Sequence, residues 1–252
     1  MTIAQTIRRA CSALAVTAAF AAPAAAGAQV VREVANRTPV VTIDRSDLDS
    51  SNAKVAMAYT DLVATWGREL QQMGSRFEAP DIVRYRSAIR TACGVMTPSN
   101  AAYCPGDNTI YYDELFVAGL QKRTHDALGT DGDMAAVGVI AHEMGHAVAI
   151  QLGDVSRYPY DNEARADCLA GAFAQKAQQA GELETGDLDE AFYGMSTAGD
   201  PTPQLTGNGR MDRYILARAA LMGHGTRDQR MQNFRLGLES GTRACLGTRF
   251  TS

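Results

Sequence analysis

Met134-Ala135-Ala136-Val137-Gly138-Val139-Ile140-Ala141-His142-Glu143-Met144-Gly145-His146-Ala147-Val148-Ala149-Ile150-Gln151-Leu152 runs without proline up to Gly153. Asp131-Gly132-Asp133 before it supplies acids at the positive end of a helix dipole, and Gly153 suits a left-handed stop. The stretch predicts a helix over 134–152. Histidines at i and i+4 leave one face of a helix about 5–6 Å apart at Cβ. Two imidazole nitrogens so placed can converge on one Zn2+ at about 2.0–2.1 Å. Glu143 lies one residue round, so it is no ligand of that set, but it can reach a water on the metal and take its proton. Val137, Val139, Ile140 and Val148 give the helix apolar sides to bury.

A catalytic zinc needs a third protein ligand and an open position. Asp161-Asn162-Glu163-Ala164-Arg165-Ala166-Asp167 offers one. Glu163 and Asp167 lie one helical turn apart. Glu163 can ligate, and Asp167 can accept a hydrogen bond from the outer N–H of a ligand histidine. His125 and His224 are the alternative third ligands, although His125 reads as a surface residue.

Working outward, periodicity predicts a helix from Asp47 to about Met73, with Val55, Tyr59, Leu62, Val63, Trp66 and Leu70 on one stripe and Gly74 as its stop. Ile82–Tyr85 and Thr109–Tyr112 are β-prone, and Gly, Pro, Ser and Asn make 91–108 read as loop. A helix is expected over 113–121. Beyond a linker with Pro159, helices are expected at about 161–180, 187–198, 210–222 and 226–240, with a Pro/Gly loop at 199–209. The fold class is α+β and mainly helical, with a small antiparallel sheet beside the central helix. Tyr111 and Tyr112 read either as edge-strand residues that pair with an extended peptide or as the core and rim of that sheet.

The N-terminus reads as an address. Arg8-Arg9 precede the apolar run Ala10–Ala22, and Ala26-Gly27-Ala28 is an A-x-A cleavage site. Residues 1–28 are therefore expected to be a signal peptide, 29–46 an arm and 47–252 one domain. An uncleaved anchor is the competing reading. The 252-residue chain has 24 basic and 28 acidic residues, a net −4. Losing Arg8 and Arg9 leaves 22 − 28 = −6. That balance argues against a nucleic-acid partner, and no apolar run suits stable membrane insertion of the mature chain. Cleavage also removes Cys11 and leaves four cysteines, which in an exported protein read as two disulfides. Of three connectivities, we favour Cys93–Cys104, closing a short loop, with Cys168–Cys245.

The motif followed by N-E-x-x-x-D resembles the gluzincin metallopeptidases. The chain resembles still more closely the bacterial putative neutral zinc metallopeptidase family. Matching stretches include Thr60–Trp66, Ala102–Asp107, Ile110–Asp113, Val139–His146, Ala166–Cys168, Gly186–Leu188 and His224-Gly225 with Gln229-Arg230. The resemblance implies a zincin-like peptidase domain with one zinc ion and a peptide or protein substrate. It also implies that His224 stabilises the oxyanion, with Arg230 holding it or the substrate. The expected activity is an exported zinc endopeptidase, periplasmic or secreted. The competing readings are a non-catalytic zinc or peptide-binding module and a zinc amidase acting on cell-wall peptides.

Overall fold

The computed structural model describes residues 42–201 and 203–247. The expected signal peptide and most of the expected arm lie outside them. Helix α1 (Arg45–Gln72) starts two residues before its expected position, because Asp44 and Asp47 form a reciprocal capping box. Leu48, Val55, Leu62, Trp66 and Leu70 form its buried stripe. Each such side chain contributes roughly 1.5–3 kcal/mol by leaving water. Gly74, at φ 72°, ends the helix as the sequence suggests.

Five strands follow: β1 (Asp81–Tyr85), β2 (Ile89–Thr91), β3 (Gly94–Met96), β4 (Ala101–Cys104) and β5 (Thr109–Asp113). The sheet order is β1-β5-β4, and β2 and β3 form a separate hairpin. β5 pairs with β1 in parallel and with β4 antiparallel. The sheet is thus mixed, not antiparallel throughout. The chain leaves β1, makes the hairpin, and turns back through β4, so β5 enters between β4 and β1. The stretch read as loop over 91–108 holds β3 and β4. Its turn-forming residues mark the corners, while the pairing comes from β2 and β5. β4 is left at an edge of the sheet.

Helix α2 (Glu114–Leu128) runs further than expected, capped by Asp113 and ended by Gly129 in the left-handed region. Helix α3 (Asp133–Gln151) is buried on nearly every side. Its first turn is closed by Glu190, whose carboxylate accepts from the backbone N–H groups of Gly132 and Met134, both at 2.9 Å. Helix α4 (Pro159–Ala180) opens with a proline at its first position, where no N–H is needed. The chain finishes with α5 (Asp187–Thr197), α6 (Gly209–Met222), α7 (Arg227–Ser240) and the single turn α8 (Thr242–Cys245). α3 runs through the middle and packs on α1, α2, α4, α5 and β4. The described residues form a mainly helical α+β domain of zincin-like type.

α4 and α7 cross at very short range. A Cβ added at Gly171 would stand 1.9 Å from the Phe234 carbonyl oxygen, and one at Gly237 would stand 1.8 Å from that of Cys168. Only glycine fits either side of that crossing. Disulfides Cys93–Cys104 and Cys168–Cys245 are both formed, as the sequence reading pairs them. The second ties α8 to α4.

Candidate metal centre

α3 presents His142 and His146 from adjacent turns, and α4 brings Glu163 against them. The approach depends on Gly145, where an added Cβ would lie 2.8 Å from the Ala166 carbonyl oxygen. His142 Nε2 and His146 Nε2 are 3.2 Å apart. Glu163 Oε2 lies 3.2 Å from His142 Nε2, and Glu163 Oε1 lies 3.5 Å from His146 Nε2. Ligands at 2.0–2.1 Å on a tetrahedral zinc are separated by about 3.3–3.4 Å. The three donors therefore already outline one face of a zinc tetrahedron.

The electrostatics point the same way. Asp167, fully buried, stands 2.8 Å from His142 Nδ1 and accepts the hydrogen bond of the N–H there. Nε2 of the neutral ring then turns a lone pair toward Glu163. Glu163 Oε2 is enclosed and has no hydrogen-bond partner. Lone pairs facing one another at such range need a positive charge between them. In the protein alone a proton can supply it. Burial pushes His142 down, but the Asp167 carboxylate more than offsets this and the ring rises to about 9. Burial raises Glu163, yet the His142 and His146 rings beside it hold it well below the usual carboxylate range. A zinc ion would displace that proton, and the residues fit one. Glu163→Ala is expected to remove one of three ligands and most bound zinc, read by metal analysis of purified protein. Full zinc occupancy in that variant would take Glu163 out of the set.

Arg230 reaches this centre from α7. Its Nε donates to Asp167 Oδ2 at 3.0 Å and its Nη1 to the Ala198 carbonyl at 3.0 Å. It also lines the apolar side of the cleft, and the partners the structure gives it are Asp167 and the Ala198 carbonyl. Its charge and that of His142 keep Asp167 ionised against the cost of burial.

Glu143 is 7% exposed and lies beside the three donors without joining them. Its Oε2 accepts the Tyr103 backbone N–H at 2.8 Å. That bond is possible because β4 is an edge strand. The Asp113 N–H donates to the Asn100 carbonyl, so by the antiparallel alternation Ala101 and Tyr103 turn their amides away from β5. Two cavities meet at Glu143. One is apolar, with Phe116, Val139 and Met195 in its wall, and the other runs past Tyr103 and His146. Asn100, Ala101, His142, Glu143 and His224 line both.

His224 thus reaches the site from the far end of the sequence. Its Nδ1 lies 3.7 Å from Asp200 Oδ1, and the Asp200 N–H donates to the Gly225 carbonyl. Asp200 is a site residue that sequence reasoning missed, because it sits in a loop without periodicity. Tyr111 does not reach the cleft. β5 is the central strand, and the Tyr111 hydroxyl donates to Asp107 instead. The core-and-rim reading holds for Tyr111 and Tyr112, and the edge belongs to β4. His125 faces the Thr130 carbonyl and is not among the three donors that converge, nor is His224.

A second acidic group, Asp131, Asp133, Asp187 and Glu190, also converges. Lys54 bridges Asp131 and Asp133, Glu190 is spent on the α3 amides, and Asp187 accepts from the Glu184 N–H. That group ties α1, α3 and α5 together.

The family model described as putative neutral zinc metallopeptidase matches residues 17–248. The chain belongs to this family. YpfJ of Escherichia coli K12, an uncharacterized protein, is 36% identical over 225 residues, covering 79% of this chain and 73% of that protein. Rv2575 of Mycobacterium tuberculosis H37Rv, also uncharacterized, is 26% identical over 186 residues, 66% of this chain and 60% of that one. No solved structure matches the chain. Membership implies a zinc site, for which His142, His146 and Glu163 are the fitting donors. Two disulfides accord with an oxidising compartment. Among the described residues no helix is long and apolar enough to cross a membrane.

Proposed function

We propose that this chain is an exported zinc endopeptidase. The observation that carries the reading is Glu143, a carboxylate fixed beside three converging metal donors and opening onto cavities on both sides. A structural zinc site is closed by a fourth ligand and has no use for a neighbouring base. When bound, zinc supplies Lewis acidity toward the scissile carbonyl and makes an attacking water more acidic. The chain's residues do the rest. Glu143 accepts a proton from the attacking water as the new C–O bond forms. It passes that proton to the leaving nitrogen as the C–N bond breaks. His224, which lines both cavities and lies 3.7 Å from Asp200, is the group we assign to the negative charge that grows on the carbonyl oxygen.

An extended substrate fits along β4, whose Ala101 N–H and C=O and Tyr103 C=O point outward. The apolar cavity suits an apolar side chain next to the cleaved bond. Among the described residues that line it, Arg230 is the cation at its border and is already paired with Asp167, so none there waits free for a terminal carboxylate. That favours cleavage within a chain over trimming from the C-terminus. Export rests on the leader-like residues 1–28 and on the two disulfides.

The test is cleavage of casein or a fluorogenic peptide by the purified chain. Activity is expected to vanish with a chelator and return with about one equivalent of zinc, one ion for the three donors His142, His146 and Glu163. Zinc-loaded protein that binds peptide and never cuts it would instead be the non-catalytic module of the same fold.

A further inference from the structure

The α6 helix stands apart in its surface chemistry. It packs chiefly on α4 and leaves a long outer face to solvent. Met211 is 50% exposed and Tyr214 60% exposed on that face. Arg210, Arg213 and Arg218 are exposed around them. Met211, Tyr214 and Arg218 follow an i, i+3, i+7 row, and Arg210 and then Arg213 lie beside it on one side, at about 100° per residue. The only acid of the helix, Asp212, is turned to the preceding loop, where it accepts the Thr206 N–H at 2.7 Å and hydroxyl at 2.8 Å. This side of the helix therefore offers three cations and two large apolar groups outward, with Leu216, 48% exposed, beyond Arg213 at its margin, in a chain whose net charge is −4.

We propose that the outer face of α6 adsorbs to the surface of an anionic phospholipid bilayer. A helix that carries arginines beside aromatic and apolar side chains lies in the plane of a membrane interface, its charge attracted by anionic headgroups. The face is convex and, among the described residues, unpartnered, which suits a deformable surface. A protein partner would have to bring its own groove. α6 ends two residues before His224, so adsorption there carries the cleft to the membrane surface. The inference is independent of whether the cleft cleaves peptides.

The experiment is co-sedimentation of the full chain with vesicles of phosphatidylcholine alone or mixed with phosphatidylglycerol. Binding to the anionic vesicles is expected, weakened by high salt. Each arginine near such a surface strengthens binding about fivefold, so the Arg210→Gln, Arg213→Gln, Arg218→Gln triple variant is expected to lose on the order of a hundredfold. Met211→Ser with Tyr214→Ser is expected to weaken it independently. The apolar run at residues 10–22 is common to every variant, so the difference isolates α6. Zinc content and circular dichroism are expected to stay unchanged. Equal partition of wild type and both variants, equal partition into neutral vesicles, or no partition at all would overturn the proposal. Capture on immobilised polyglutamate without vesicle binding would also overturn it, and would give the face to an acidic protein segment.

Discussion

Glu143→Gln is expected to keep its zinc and its fold and to lose cleavage by about 10²–10⁴-fold in kcat/KM, which is about 3–5 kcal/mol of barrier. The amide is nearly the size of the carboxylate. Its oxygen can still accept the Tyr103 N–H that holds Glu143 in place, so orientation survives and only the proton acceptor is removed. His224→Ala is expected to cost less, about 10²–10³-fold, since it removes a group that stabilises charge but moves no proton. The order of the two effects is the informative part. It is read on a peptide substrate, with zinc content measured in parallel. A zinc-loaded Glu143→Gln protein that cleaves as fast as wild type would remove Glu143 from the reaction.

Gly237→Ala is expected to cost about 3 kcal/mol of stability or more. An added Cβ there stands 1.8 Å from the Cys168 carbonyl oxygen and 2.7 Å from the Ala172 nitrogen. Both are backbone atoms inside α4, so no side chain can swing aside and the two helices must part. For a domain of this size, each kcal/mol lowers Tm by about 2–4 °C, which gives a fall of roughly 6–12 °C. Zinc binding is expected to weaken too. α7 carries Arg230 onto Asp167, and α4 carries Asp167 and Glu163. Gly67→Ala is the control. It lies within α1 with nothing inside 4 Å of a new Cβ, so alanine there is expected to stabilise by up to about 1 kcal/mol. Equal melting of Gly237→Ala and wild type would remove the close crossing from the fold's requirements.

The helices and half of the site were legible because their signals are local. The α1 stripe repeats every three or four residues, and His142 to His146 and Glu163 to Asp167 each span one turn. The disulfide pairing was legible from a count of four cysteines and one short loop. What stayed hidden depends on partners far away in the chain. β4 is a strand only because β5 lies beside it, and its own Ala-Ala-Tyr-Cys carries no alternation. The parallel pairing of β1 with β5 left no mark in either strand. Tyr111 was placed by strand order, which no spacing reveals. Asp200 gains its meaning from His224, 24 residues later and across a backbone bridge. Arg230 was picked out by resemblance, but its true partner, the carboxylate behind His142, was visible only in three dimensions.

The pairing of Arg230 with Asp167 also sets a timetable for synthesis. Ribosomes deliver His142, Glu143, His146 and Glu163 early, whereas the guanidinium that balances Asp167 arrives 63 residues after it. The cysteine that fastens α4 to the C-terminal turn follows 77 residues after its mate. Until both have emerged, the carboxylate behind His142 is held by one neighbour in place of two, and α4 lacks the helix it locks against. The centre is therefore finished only once α7 and α8 have been made. A growing or truncated polypeptide therefore carries the motif without the finished metal centre.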